Sequence, residues 1–484
     1  MKILVVFDDT GRKSDVIKDI IGDRGFSEVL VRKVRLEDRY RETLKSIFPD
    51  LSWRTVVSNY EYADLMRVLQ QRENDADTRV LHCFSNFVIS DPKAALLSYQ
   101  KTEFIEEPFT AYDGRKAVAA LFPDTESYLG YLNRIISGEK AWDAARSLKQ
   151  GFPIEGVIDI SEVSNFIRCL TGNLDSRYFN TLQGDAYTLV KTSPNIEKIK
   201  KEYTYYTLLP EDMKHWFVMP FSYRETEREA SYSMERLHMT DVAVKWVHGS
   251  IGEEEFEKLM EKYFYFFRSR HEKTCTEEEY RKAADELYRE KVLRRVEQLK
   301  GLDGYQKIAA VLGSMGESID SLTERYFALR EKVEKRCTYP HKLVIGHGDP
   351  CFSNTLYSRA TETLKFIDPK GALTEEEMWT NPYYDVAKLS HSVCGDYDFF
   401  NSGMFDIKVS ENFDFEIELP FDHAPYVRIF RDSAEKNGYD FLSVRLYEAS
   451  LFLSMLPLHM DNPYKVLGFA LNLKTILKEI ENDV

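Results

Sequence analysis

The chain has 484 residues, 43% of them hydrophobic and 30% charged, enough for roughly two or three domains that each bury a core. Its 80 acidic and 65 basic residues give a formal net charge of -15, which argues against a broad surface for a nucleic-acid polymer and leaves room for a local basic pocket that holds a triphosphate. The cysteines at 83, 169, 275, 337, 351 and 394 show no C-x-x-C spacing and follow no secretory start, so a reducing, cytoplasmic setting is expected. No apolar run approaches the roughly 20 residues of a transmembrane helix, and Leu451 to Leu458, followed by His459 and Asp461, reads as a buried helix.

In chain order, Lys2-Ile3-Leu4-Val5-Val6-Phe7 reads as a buried strand and Asp8-Asp9-Thr10-Gly11 as the turn after it. Val56 to Leu69 reads as a turn and a helix, and Arg79 to Ile89 as a second β-rich run ending at Ser90-Asp91-Pro92. This alternation predicts an α/β domain over residues 1–125. Asp8, Asp9 and Asp91 fall at strand ends, where they either converge on a ligand or metal or serve as caps and turn residues. Neither a G-x-G-x-x-G nor a P-loop run occurs. The short first strand and the later Ser90-Asp91 strand end resemble sugar-nucleotide transferases of the nucleotidyltransferase type. The loop Asp8-Asp9-Thr10-Gly11-Arg12-Lys13 departs from that family's glycine-rich basic loop, so a degenerate or purely structural domain is the alternative.

Residues 126–155 read as a helical connector. A second domain is expected to begin with β-rich segments around Gly156 to Ile160 and Tyr178 to Lys191, with a small lobe over 156–240. Over Val242 to Lys335 charge and hydrophobicity recur at helical spacing. Tyr263, Phe264, Tyr265, Phe266 and Phe267 are expected to pack helix on helix.

The chemistry concentrates in Ile345-Gly346-His347-Gly348-Asp349-Pro350-Cys351-Phe352-Ser353-Asn354, followed by Phe366-Ile367-Asp368-Pro369. Phosphoryl transfer requires a carboxylate that orients or deprotonates the acceptor hydroxyl and oxygen ligands for magnesium. Asp349 suits the first task, Asn354 and Asp368 the second, and His347 braces the loop. Upstream, Lys191 ends a β-like run and can reach the phosphates of ATP, while Glu202, near the start of a helical pattern, can fix the lysine's direction. Gly172 to Arg177 reads as a phosphate-facing hairpin or an ordinary β-turn.

With these residues the segment from about 160 to 475 resembles the aminoglycoside phosphotransferase and choline kinase superfamily. The family's H-x-D-x-x-x-x-N pattern falls on His347, Asp349 and Asn354, and its strand-ending metal acid on Asp368. Its ATP lysine corresponds to Lys191, the paired helix acid to Glu202, and the strand entering the interlobe hinge to Ser233 to Leu237, with the adenine beside Glu235. Asn381-Pro382-Tyr383-Tyr384-Asp385-Val386-Ala387 is similar to the family's D-P-x-x-D-L-A element, Asp385 tethering the catalytic loop and Asn381 replacing its first acid in a capping role. The resemblance implies a bilobal protein-kinase-like α+β domain after the α/β domain, with a helical large lobe over 241–484. It implies ATP and Mg2+ as cofactors and a hydroxyl-bearing small molecule as acceptor. Lys370, beside Asp368 where many relatives have tryptophan or an acid, meets a phosphate or an anionic part of the acceptor, or is an exposed turn lysine. Pro369-Lys370-Gly371 and His391 to Asp398 look like kinase-like proteins of bacterial surface-polysaccharide synthesis, so a sugar or surface-polysaccharide precursor is the expected acceptor. A choline or ethanolamine kinase and a non-catalytic nucleotide-binding scaffold are the alternatives; homo-oligomerisation is left open.

Overall fold

The computed structural model describes residues 2–31, 34–71, 78–114, 116–170, 181–184, 187–336, 338, 340–410 and 415–484. The fold is mixed α/β, and the chain divides into two compact units, Met1–Asp175 and Ser176–Val484.

The first unit is built on a six-stranded sheet in the order 51–56, 2–8, 78–84, 116–122, 109–113, 149–153. The strand Lys2–Asp8 pairs in parallel with both neighbours, while 78–84 meets 116–122 antiparallel, so the sheet is mixed. Val5, Val6 and Phe7 are fully buried, as expected of a central strand covered on both faces. The expected helical connector over 126–155 is instead part of this unit. Its helices Thr125–Ile136 and Ala141–Arg146 place buried residues in the unit's core, and Lys149–Pro153 adds an edge strand in parallel with Phe109–Asp113. The segment expected to open the next domain also stays behind, since Val157–Asp159 pairs antiparallel with Phe87–Ile89. Both segments read locally as connector or domain start because the partners that claim them lie tens of residues away in sequence.

In the second unit a four-stranded antiparallel sheet runs in the order 181–184, 188–193, 230–235, 220–225. The helix Ile196–Leu208 packs on it, with Ile199 against Ala230, Tyr232 and Met234 in one apolar cluster. After Glu235 the chain leaves the sheet and re-enters regular structure at Thr240–Asp241, which pairs with Leu356 and Tyr357 of the hairpin 355–358/363–366. From Val242 to Arg336 the chain is mostly helical, as the spacing predicts. In the helix Glu253–Ser269, Tyr263, Phe264, Phe266 and Phe267 are buried, whereas Tyr265 is exposed.

The helix Phe441–Met455 and the turn after it correct the expectation that no segment is long enough to span a bilayer. Phe441–His459 is one stretch of 19 residues with sufficient length and apolarity, and 83% of its most apolar 18-residue window is buried within the protein. Inside it Arg445 bonds both oxygens of Glu448 at 2.6 Å and reaches Glu479 of the last helix at 2.7 Å, an arrangement that neutralises the buried charges locally.

Candidate active site

Lys191 is the hub of the site. It lies within the strand Thr188–Ser193 rather than at its end, opposite Tyr232, and its side chain is 1% exposed. Its ammonium donates to Glu202 Oε2 at 2.7 Å and to Asp368 Oδ1 at 2.8 Å. Glu202 occupies the middle of the helix Ile196–Leu208, not its start, because Asn195 caps the helix earlier by accepting the Lys198 N–H. Tyr232 donates to the same Glu202 oxygen at 3.1 Å. Burial alone would push the lysine down; Asp368 and Glu202 outweigh it and hold the ammonium charged above its ordinary range.

The hairpin fixes how Asp368 and Asn354 sit. Thr355 pairs with Phe366, and the Ile367 N–H donates to the Asn354 carbonyl at 3.0 Å, so the two expected metal ligands flank one end of the same ladder. Asp368 takes a left-handed φ of 55°, a conformation that Asp and Asn tolerate better than other non-glycine residues. Its side chain keeps 37% exposure. Asn354 donates its amide N–H to the Asp349 carbonyl at 3.0 Å, which fixes the side chain so that its Oδ1 is the atom that could serve as a ligand oxygen. An amide oxygen and a carboxylate suit magnesium, which prefers a few hard oxygen donors completed by substrate phosphates. Among the described residues no group of three or more His, Cys, Asp or Glu forms a metal cage, and such a site does not require one.

The loop carrying His347 and Asp349 is tethered from behind. Asp385 Oδ2 accepts the His347 N–H at 3.0 Å and Oδ1 the Gly348 N–H at 2.8 Å, while Arg270 bonds the same carboxylate at 2.9 Å. Both charged side chains are fully buried. Tyr205, on the Glu202 helix, donates to the Gly346 carbonyl at 2.8 Å. His347 accepts the Asp349 N–H on Nδ1 and donates from Nε2 to the Ile367 carbonyl, both at 3.0 Å. It also stacks on Phe217, and burial holds it below its ordinary value. Both ring nitrogens are thus engaged, Nδ1 within the loop and Nε2 across to the hairpin, the geometry of a bracing residue. Asn381 accepts the Tyr383 N–H at 3.0 Å in a local turn, but the N-cap of the helix is Pro382 and no side chain caps it, so Asn381 does not take the expected capping position.

One charged residue that sequence reasoning did not single out belongs here. Lys388, in the helix Tyr383–Val393, pairs with Asp349 Oδ1 at 3.0 Å. Burial pushes the Asp349 carboxyl up, but Lys388 outweighs it and holds it below the usual carboxylate range; the lysine is raised in turn, Asp349 outweighing burial. One turn earlier on that helix Tyr384 accepts from Lys291 at 2.8 Å. The available clue was spacing: Lys388 follows Asp385 by three residues, which brings both toward one face of a helix.

Other expected positions contribute differently. Glu235 is exposed at the end of its strand, and the adjacent Arg236 N–H donates to the Tyr187 carbonyl at 2.8 Å. Gly172 to Arg177 lies outside the described residues. The acids at the strand ends of the first unit serve internal bonds. Asp9 accepts from Phe26 N at 2.9 Å, from Ser85 Oγ at 2.6 Å and from the Ser27 hydroxyl. Asp8 holds Thr10 and faces His82 at 3.3 Å, and Asp91 caps the helix Pro92–Tyr99.

Neither a protein-family model nor a curated relative matches the sequence. Among solved structures, the chain is similar to the aminoglycoside phosphotransferase APH(4)-Ia at 11% identity and a TM-score of 0.37, over 65% of this chain and 97% of that one. A thermostable mutant of that enzyme in its apo form gives 11% identity and the same score over 63% and 94%. The phosphotransferase APH(3'')-Id from Streptomyces rimosus, in complex with ADP and streptomycin, gives 14% and 0.31 over 57% and 88%. Similarity at this level assigns neither substrate nor chemistry to the chain.

Proposed function

We propose that residues 176–484 form a bilobal kinase-like domain that transfers the γ-phosphate of ATP to a hydroxyl of a small molecule, a sugar or surface-polysaccharide precursor. The small lobe runs to about residue 240 and the helical large lobe follows. The observation that carries the reading is Lys191 bonded at once to Glu202 and Asp368, with Asn354 beside Asp368 and Asp349 on a tethered loop. In this reading the backbone after Glu235 receives the adenine, Lys191 directs the phosphates, and Asn354 and Asp368 hold the magnesium. When bound, the ion neutralises the charge on the phosphate oxygens.

Asp349 is ionised at neutral pH, since Lys388 holds its carboxyl low. It orients the acceptor hydroxyl and accepts its proton late, as a loose phosphoryl transition state allows. The acceptor oxygen bonds to the γ-phosphorus as the bond to the β,γ-bridging oxygen breaks, and ADP leaves with that electron pair. A cytoplasmic setting, where ATP and magnesium are available, goes with this chemistry.

The test is product formation from ATP across sugars, nucleotide sugars, choline and ethanolamine, followed by phosphorus-resolved analysis. With a confirmed acceptor, Lys191→Met and Asp368→Asn each lower turnover by about 100-fold or more; Asp368→Asn keeps the thermal melt, whereas Lys191→Met also lowers it because Glu202 is left buried without its cation. Full turnover by Asp368→Asn would sink the assignment of the metal acid.

A further inference from the structure

On the large-lobe side of the site, Lys291, Arg294, Arg295 and Lys370 line a cavity of about 570 Å³ together with Glu286 and Gln298. Its single carboxylate, Glu286, is already paired with Arg294 at 3.0 Å, and Arg295 bonds the neutral Gln298 at 2.7 Å. Four cations therefore face a space with one committed anion, in a chain whose overall charge is -15. A cluster of that sign on an acidic protein is not a by-product of general composition, and at physiological salt the remaining charge is screened beyond about 8 Å.

The cavity is coupled to the reacting end of the site along two walls. On one, Lys291 donates to Tyr384, and Tyr384 lies one helical turn from Lys388, the partner of Asp349. On the other, the Lys370 stem lies against Gly348, immediately before Asp349. A Cβ at Gly348, whose φ is +84°, would stand 2.5 Å from Lys370 Cβ. A π-turn over Glu286–Glu290, closed by the Lys291 N–H on the Glu286 carbonyl, precedes the basic helix and shifts the face it presents; such turns concentrate at functional sites.

We propose that the acceptor is an anionic hydroxyl compound, a small molecule bearing phosphate or carboxylate, whose anionic group seats among Lys291, Arg294, Arg295 and Lys370. This rests on the phosphotransferase reading of the same site and names its substrate class. Guanidinium and ammonium groups bind both kinds of anion through charge-assisted hydrogen bonds, and an acceptor anchored there by one end turns a hydroxyl toward Asp349. Its oxygen then takes the γ-phosphoryl group from ATP, ADP departs with the electron pair of the broken bond, and the hydroxyl proton passes to Asp349. A quaternary or primary ammonium acceptor meets repulsion in the same space, so the choline and ethanolamine alternative is disfavoured.

The experiment has two independent readouts on the full chain. Calorimetry with inorganic phosphate, ribose 5-phosphate and glucuronate, at saturating ADP and magnesium, reads the cavity; binding of ADP and magnesium alone reads the nucleotide site. Anion binding that weakens with added salt, and by about tenfold or more in Lys370→Gln and in Arg295→Gln, supports the proposal. Preference for ribose 5-phosphate or for glucuronate distinguishes phosphate from carboxylate. Absence of anion binding in the wild type, or binding unchanged in both variants, overturns it. So does turnover of neutral sugars or ethanolamine at least as efficient as that of their anionic counterparts. Loss of nucleotide binding as well would sink the phosphotransferase reading, whereas intact nucleotide binding with no anion binding sinks the acceptor class alone.

Discussion

In the proposed reaction the Asp349–Lys388 ion pair sets the working pH. The carboxylate form of Asp349 is the one proposed to orient the acceptor hydroxyl, and Lys388 keeps that form populated to lower pH than burial would allow. In Lys388→Met the acid limb of the kcat profile is expected to move to higher pH by roughly 1–3 units, because the carboxylate then protonates sooner as pH falls. An unmoved limb would show that the titration seen in kcat belongs to another group. Lys388 was invisible to motif reading because a lysine on a helix is ordinarily a solvated one; only its 3.0 Å approach to Asp349 distinguishes it. The order and spacing of Asp349, Asn354 and Asp368, by contrast, mark them as candidates in the sequence itself.

The elements around the loop act as a clamp, and the clamp is stiffest at Asp385. Replacing Asp385 by Ala leaves Arg270 buried without its carboxylate and two backbone N–H groups without an acceptor, a loss of about 3–5 kcal/mol measurable by urea denaturation. Asp385→Asn retains one acceptor and should lose less. Gly348 tests the same clamp from the front. Its positive φ and the Lys370 stem against it make Gly348→Ala strained on both counts, with an expected cost of about 1–3 kcal/mol in thermal unfolding. The helix bearing Glu202 was legible as a helix but not in its start, since Ile196 to Lys201 carries four charged residues and the cap is a single Asn195 side chain.

Across the molecule, pH dependence of stability is expected to centre on two buried carboxyls, Asp398 and Glu448, each raised to about 7 by burial. The Asp398 carboxyl is buried beside Ser392, and burial, with the like-charged Asp241, Asp349 and Asp396 nearby, raises it to about 7 against the pull of the Ser392 hydroxyl. With the folded value above the unfolded one, the stabilisation of the neutral acid is complete near pH 4 and is lost as pH rises through about 7. Asp398→Asn, which stays neutral, should remove the Asp398 share of that slope, leaving that of Glu448, and raise stability at pH 8 by roughly 1–3 kcal/mol, read from melts at pH 5 and pH 8. A wild-type melt that rises from pH 5 to pH 8 for the whole second unit would contradict this.

The sequence by itself determined the mixed α/β character, the strand core of the amino-terminal unit and the order of Lys191, Glu202, Asp349, Asn354 and Asp368, because periodicity and motif spacing are local properties. Tertiary structure decided that residues 126–170 belong to the first unit, with only 149–153 added to its six-stranded sheet, that Lys191 bonds Glu202 and Asp368 together, and that Asp8, Asp9 and Asp91 serve internal bonds. It also decided that lysines and arginines at 291, 294, 295 and 370 face one cavity. Those outcomes depend on partners remote in sequence, and no local pattern encodes which remote partner a strand edge or a charged side chain will meet.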